Sequence, residues 1–123
     1  MESAGYPKAD TELTTQLLDL VQQAAYSKVL KKGANEAVKA LNKGRAELVL
    51  IAADTEPPEI VLHLPILCED KNVPFVFVPE MVSLGRSAGS SRPVIAVAVL
   101  AGENTQIKNQ TKTLIKEIEK IRL

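Results

Sequence analysis

The 123-residue chain is poor in aromatic residues, with two Tyr, two Phe and no Trp. A protein that stacks successive bases of a single strand on an aromatic platform needs more than this. One Cys excludes an internal disulfide and any multi-cysteine zinc site. The longest uncharged apolar runs, Leu48–Ala53 and Val94–Gly102, fall far short of the ~20 residues of a membrane-spanning helix. No basic stretch followed by an apolar block opens the chain, so a secretory signal is not expected. Neither charge is in surplus: Lys+Arg and Asp+Glu stand at 15 each. That balance, on its face, argues against a nucleic-acid partner. Apolar residues make up 46%, enough for a core in one compact domain. The composition is that of a neutral, soluble, intracellular domain.

The charges are not evenly spread. Residues 28–45 hold Lys28, Lys31, Lys32, Lys39, Lys43 and Arg45 against Glu36 alone, a net of +5. Residues 46–80 hold seven acids against Lys71, a net of −6. Distant charges are screened beyond a Debye length of ~8 Å, so a basic patch attracts phosphate whatever the whole-chain sum. A solvated helix face is the simpler account of such a cluster taken alone.

The periodicity reads as alternating helices and strands. Residues 1–9 are expected as a loose arm. Asp10 or Thr11 caps a helix whose apolar positions are Leu13, Leu17, Leu18, Leu20, Val21 and Ala24. A Lys-rich joint, with room for a short strand near Lys28–Lys32, leads to a second helix after Gly33. Asn42-Lys43-Gly44 stops that helix. Leu48–Ala53 is a strand covered on both faces. Pro57 and Pro58 suit the first turn of a third helix running to about Lys71. Val73–Val78 and Val94–Leu100 are further buried strands. Between them lie a short helix at Ser83–Ala88 and a Gly89-Ser90-Ser91-Arg92-Pro93 loop. The last helix starts near Asn104, with Ile107, Leu114, Ile115, Ile118 and Ile121 on one side. This alternation implies a three-layer α/β/α domain over residues 10–123.

Enzyme chemistry is hard to find. The single His63 sits in the apolar frame of a helix and reads as a packed or partly exposed residue. Asp54, Glu56 and Glu59 fall at a strand-to-helix junction, where acids complement a helix N-terminus. Cys68 packs rather than reacts, with no basic cluster beside it. The Gly85…Gly89 loop matches neither a Walker sequence nor a dinucleotide fingerprint. No catalytic set, metal or cofactor is expected.

The run Lys31-Lys32-Gly33-Ala34-Asn35-Glu36-Ala37-Val38-Lys39 is the informative segment. Lys31 and Lys32 supply charge for phosphate. Gly33 admits close backbone approach. Free amides at a helix start attract anions. Asn35 has a donor and an acceptor for a base edge. Asn35, Glu36 and Lys39 share one helix face. Glu36 is repelled by phosphate, so two roles stand side by side. It complements the helix dipole, or it accepts hydrogen bonds from base N–H groups such as those of a guanine in a non-standard pair.

Together with this run, three further stretches resemble the kink-turn RNA-binding ribosomal-protein family of the L7Ae type. They are Leu50–Pro57, His63–Lys71 and Val73–Val78; Leu84-Gly85-Arg86 and Ser91–Ile95 continue the likeness. It covers the chain from about Leu13 to Ile121. Within the family it is most similar to the branch in box C/D small nucleolar RNPs and the spliceosomal tri-snRNP. The resemblance implies a mixed four-stranded sheet between helical layers. It implies binding to a bent RNA with tandem sheared G·A pairs, and a nuclear and nucleolar protein, monomeric when free. Nop-domain proteins would join the RNA complex. Carried over by position, Gly33, Asn35, Glu36 and Lys39 contact the G·A pairs, with Lys32 near phosphate. Glu56 and Ile60 hold the extruded nucleotide. Arg92 and Ile95 belong to a loop that closes over the RNA.

Two positions depart from the pattern. Met81 stands where close relatives usually carry Lys, and Ser90 where they usually carry Val. The first removes a basic contact to the bulge nucleotide, and the second an apolar contact in the closing loop. The Gly89–Pro93 loop also has some likeness to the H/ACA relative. An H/ACA or ribosomal member of the family is therefore an alternative. A small α/β enzyme or a protein-interaction module is a more distant one, resting on the Gly85…Arg92 loop and the acidic 46–80 segment.

Overall fold

The computed structural model describes residues 6–55 and 62–121. Nine elements follow in the order α1 (Thr11–Tyr26), β1 (Leu30–Lys32), α2 (Ala34–Asn42), β2 (Ala46–Ala52), α3 (His63–Asp70), β3 (Phe75–Val78), α4 (Met81–Ser87), β4 (Ala96–Leu100) and α5 (Thr105–Ile121). The four strands form one sheet in the order β1-β4-β2-β3. β4 is antiparallel to both β1 and β2, and β2 is parallel to β3, so the sheet is mixed.

The strands read as continuous apolar runs because both faces are covered. Leu48, Leu50, Val76, Val97 and Val99 point into one layer with α1, α4 and α5. Val49, Ile51, Phe75, Phe77, Ala96 and Ala98 point into the other with α2 and α3. This is the expected three-layer α/β/α arrangement. Asp10 caps α1, its Oδ1 accepting the Leu13 N–H at 2.8 Å. Asn104 does the same for α5 through Ile107. In α5 Thr111 joins Ile107, Leu114 and Ile118 in the core, its hydroxyl donating to the Ile107 carbonyl. Ile121 stays exposed. The expected start of α3 at Pro57–Pro58 lies outside the described residues.

Residues 6–9 differ from the loose arm expected of them. The Phe77 N–H donates to the Pro7 carbonyl and the Ala9 N–H to the Phe77 carbonyl, both at 2.9 Å. Tyr6 meets Phe75 edge-on at 5.4 Å and stacks on Phe77 at 6.1 Å. Aromatic contact and two backbone hydrogen bonds outweigh the small cost of ordering four residues next to a capped helix.

Candidate nucleic-acid interface

The site begins with a backbone irregularity. β1 ends at Lys32, and Gly33 turns the chain into α2 with φ +98°. An L residue is strained there, so glycine is required by conformation rather than by space. A Cβ on Gly33 would meet nothing within 4 Å. The Gly33 N–H donates to the Ala96 carbonyl at 2.7 Å, which fixes the turn to β4. Gly33 has no side chain to cap α2, and among the described residues none does so. Its first amides therefore face outward with the positive end of the helix dipole.

Across from this helix start lies the loop between α4 and β4. A shallow groove of about 710 Å³ separates them. Lys32, Gly33, Ala34, Asn35 and Glu36 line one wall, and Ser90, Pro93, Val94 and Ile95 the other. The fold thus brings together Lys32, Gly33, Asn35, Glu36 and Ile95 across some 60 positions of sequence. Lys39 and Arg92 are exposed and stand beside the groove rather than in its lining. Glu56 and Ile60 lie outside the described residues. Lys39 Nζ approaches Glu36 Oε2 at 3.4 Å, one helical turn away. Both side chains are solvated, so this pair orients Glu36 more than it stabilises α2.

Three contacts hold the loop. The Ser90 N–H donates to the Gly85 carbonyl at 2.9 Å and the Val94 N–H to the Met81 carbonyl at 3.1 Å. The Arg92 N–H donates to Ser90 Oγ at 3.1 Å. Ser90 therefore exchanges the expected apolar contact for a hydrogen bond that shapes the loop. Ser90→Ala is expected to loosen this loop and, for the kink-turn RNA that the resemblance implies, to weaken binding ~2–5-fold, the worth of one exposed hydrogen bond. Fluorescence anisotropy checks this, and unchanged affinity would show that the loop is held without it.

Gly85 is the residue that sequence reasoning missed. A Cβ there would lie 2.3 Å from the Arg92 carbonyl oxygen and 3.1 Å from Pro93 Cα. Only glycine lets α4 and the loop lie this close. The available signal was a glycine inside a helical pattern. Met81 also differs from a simple loss of a cation. It packs against the α1/α4/α5 layer, and its N–H donates to Asp54 Oδ1 at 2.9 Å. Asp54 thus complements the start of α4, a role that its place in the sequence does not announce.

Cys68 is buried, and burial, aided by Glu69, pushes its thiol up to about 12. It is a packing residue, as expected. His63 is exposed at the start of α3. Among the described residues no group of His, Cys, Asp and Glu could hold a metal ion, and no helix is long and apolar enough to cross a membrane.

Comparison with known proteins bears on this site. Residues 15–109 match the ribosomal protein L7Ae/L30e/S12e/Gadd45 family. The NHP2-like protein 1 of Xenopus tropicalis is 60% identical over 116 residues, spanning 94% of this chain and 91% of that protein. The 13 kDa ribonucleoprotein-associated protein of Mycosarcoma maydis is 55% identical, spanning 94% and 92%. The Giardia lamblia 15.5kD RNA binding protein superimposes with a TM-score of 0.91 at 42% identity, covering 98% of this chain and 99% of its own.

Proposed function

The chain belongs to the ribosomal protein L7Ae/L30e/S12e/Gadd45 family, and from that premise we propose that its groove is a kink-turn RNA site. It is an RNA-binding ribonucleoprotein protein, not an enzyme. One observation carries the finer reading. The start of α2 and the Ser90–Ile95 loop face each other across a groove with Glu36 in one of its walls.

Each wall has its task. The α2 amides and Lys32 take phosphate. Gly33 keeps side-chain atoms out of the closest approach. Asn35 and Glu36 read the base edges that sheared G·A pairs leave open, with Lys39 holding Glu36 in place. Ile95 and Arg92 close the loop over the RNA. Glu56 and Ile60 retain the extruded nucleotide. RNA specificity of this kind targets non-helical elements, because the major groove of regular A-form RNA is too narrow to read. The bound and bent RNA then presents a composite surface to Nop-domain proteins. In this reading the protein nucleates box C/D small nucleolar RNPs and the spliceosomal tri-snRNP, in nucleolus and nucleus. Its direct partners are box C/D small nucleolar RNA and spliceosomal small nuclear RNA.

Gel shifts test the site. A kink-turn RNA is expected to bind far more tightly than the same RNA with both sheared pairs replaced by Watson–Crick pairs, and equal affinity sinks the reading. Lys32→Ala is expected to lower the salt slope by about one phosphate's worth, ~0.7–0.9 in log K against log salt. Sequencing of RNAs crosslinked in cells identifies the particle, H/ACA guide RNA being the outcome that would reassign it.

A further inference from the structure

The four helices before α5 all end in the same motif. After each, the N–H two residues beyond the cap returns to a carbonyl five positions back, and the residue just before it closes a shorter ring. In α1 these are Val29 to Ala24 and Lys28 to Ala25; in α2, Arg45 to Ala40 and Gly44 to Leu41. In α3 they are Val73 to Cys68 and Asn72 to Glu69; in α4, Ser90 to Gly85 and Gly89 to Arg86. The motif demands positive φ at its central residue. Gly44, Asn72 and Gly89 meet that demand with the residue types that tolerate it. Lys28 alone does not, yet it sits at φ +63°. A lysine kept in the left-handed region points to a use for its charge at that spot.

Its surroundings supply one. Lys28, Lys31, Lys32 and Arg86 line a second groove of about 620 Å³ between the end of α1, β1 and the end of α4. Among the described residues no acid lines it, and none of the four cations is paired with a carboxylate. Tyr26 stands in the same groove, 90% exposed. The other three aromatic residues, Tyr6, Phe75 and Phe77, form one packed cluster. The two grooves share Lys32 and meet at the Gly89-Ser90 step. A cation after α1 and one in the last turn of α4 also complement helix dipoles. Lys31 and Lys32 lie on the edge strand β1, at no helix C-terminal end.

We propose that this second groove carries the RNA strand that continues from the kink-turn, its phosphates on Lys28, Lys31 and Arg86 and one base or ribose against Tyr26. The proposal rests on the kink-turn reading and extends its footprint. Four cations around one groove suit the backbone of a strand, and one exposed aromatic offers a single stacking contact rather than a platform.

The test uses the full chain and two RNAs. One is a minimal kink-turn with short stems. The other carries an unpaired extension of about ten nucleotides on either end. Wild-type protein is expected to bind the better extended RNA roughly 5–30-fold more tightly than the minimal one. The double variant Lys28→Gly, Arg86→Gln is expected to lose this gain and to lower the salt slope by about 1.4 on the extended RNA. It should keep wild-type affinity for the minimal RNA and melt close to wild type, since the relief of glycine at position 28 offsets the lost dipole complements. Tyr26→Ser is expected to remove part of the gain without changing the salt slope. The proposal is overturned if neither extension tightens wild-type binding, or if the double variant keeps the whole gain. It is equally overturned if the variant weakens on both RNAs alike, because the cations then attract RNA without a track. Failure of wild type to distinguish the minimal kink-turn from its Watson–Crick control refutes the kink-turn reading instead.

Discussion

Gly85→Ala is expected to lower both thermal stability and RNA affinity, although the substituted residue lies outside the RNA groove. The methyl group would sit 2.3 Å from the Arg92 carbonyl oxygen, with Pro93 Cα and the Val94 nitrogen each at 3.1 Å. All three are backbone atoms, so no rotamer change relieves the overlap. Replacing glycine by alanine inside a helix gains up to ~1 kcal/mol of propensity. Overpacking of this kind costs typically ~1–3 kcal/mol and occasionally more. A clash against rigid backbone belongs at the upper end, so the clash wins. Either α4 or the loop must retreat. The loop is the softer of the two, because α4 is anchored to the core by Leu84 and Ala88, whereas Ser91, Arg92 and Pro93 are exposed and Val94 alone of the loop lies in that layer. Its retreat widens the groove at Val94 and Ile95, and affinity for a kink-turn RNA is expected to fall at least tenfold. A thermal melt and a titration together check this. A melting temperature at or above wild type would mean that the loop does not bear on α4 as closely as the geometry has it.

Glu36→Ala is expected to separate binding from stability. Glu36 is solvated, and its contact with Lys39 is a surface pair worth little. Its other structural role is to complement the start of α2, ~0.3–1 kcal/mol at most. Loss of a base-edge contact is larger. By analogy with base readout in DNA it is worth ~1–3 kcal/mol, or about 5–150-fold in Kd. Binding is therefore expected to weaken strongly while the melting temperature barely moves. Glu36→Gln keeps one acceptor oxygen and removes the charge, so it should fall between wild type and alanine. Titration of all three proteins against one RNA decides the point. If Glu36→Ala binds as well as wild type, or better, the acid serves only the helix dipole, and relief of phosphate repulsion would be the visible effect.

The layers of the fold were legible because the strands are buried on both faces and the helices carry clear apolar stripes. Leu48–Ala53, Val73–Val78 and Val94–Leu100 mark three strands of the sheet to within a few residues. Gly33 and the α2 stretch were legible as well, since a glycine before an amphipathic run is a local signal. What escaped depends on long-range contact. Nothing local tells that Gly85 touches Arg92 or that Asp54 serves α4, because both partners come from distant parts of the chain. The docking of residues 6–9 rests on Tyr6 meeting Phe75 and Phe77, two residues that are neighbours only once β3 is placed. Lys28 was visible as a charge, but its left-handed backbone was not. Lysine carries no preference for that conformation, so the motif at the end of α1 appears only in the folded chain.

The segment from Pro7 to Ala9 has a consequence for how the protein behaves among its own copies. An open sheet exposes unpaired N–H and C=O groups along its two outermost strands, and these are templates for another chain. Here β3 is one of those strands, and the N-terminal segment satisfies Phe77 from outside it. The opposite strand, β1, is three residues long and carries two exposed lysines, which repel a second copy. Both margins are thus guarded by different means, one by cover and one by charge. The guard on β1 is reversible in a way the other is not. In the proposed complex RNA neutralises the same lysines that keep identical chains apart, so the margin that discourages self-association is the one open to a polyanion.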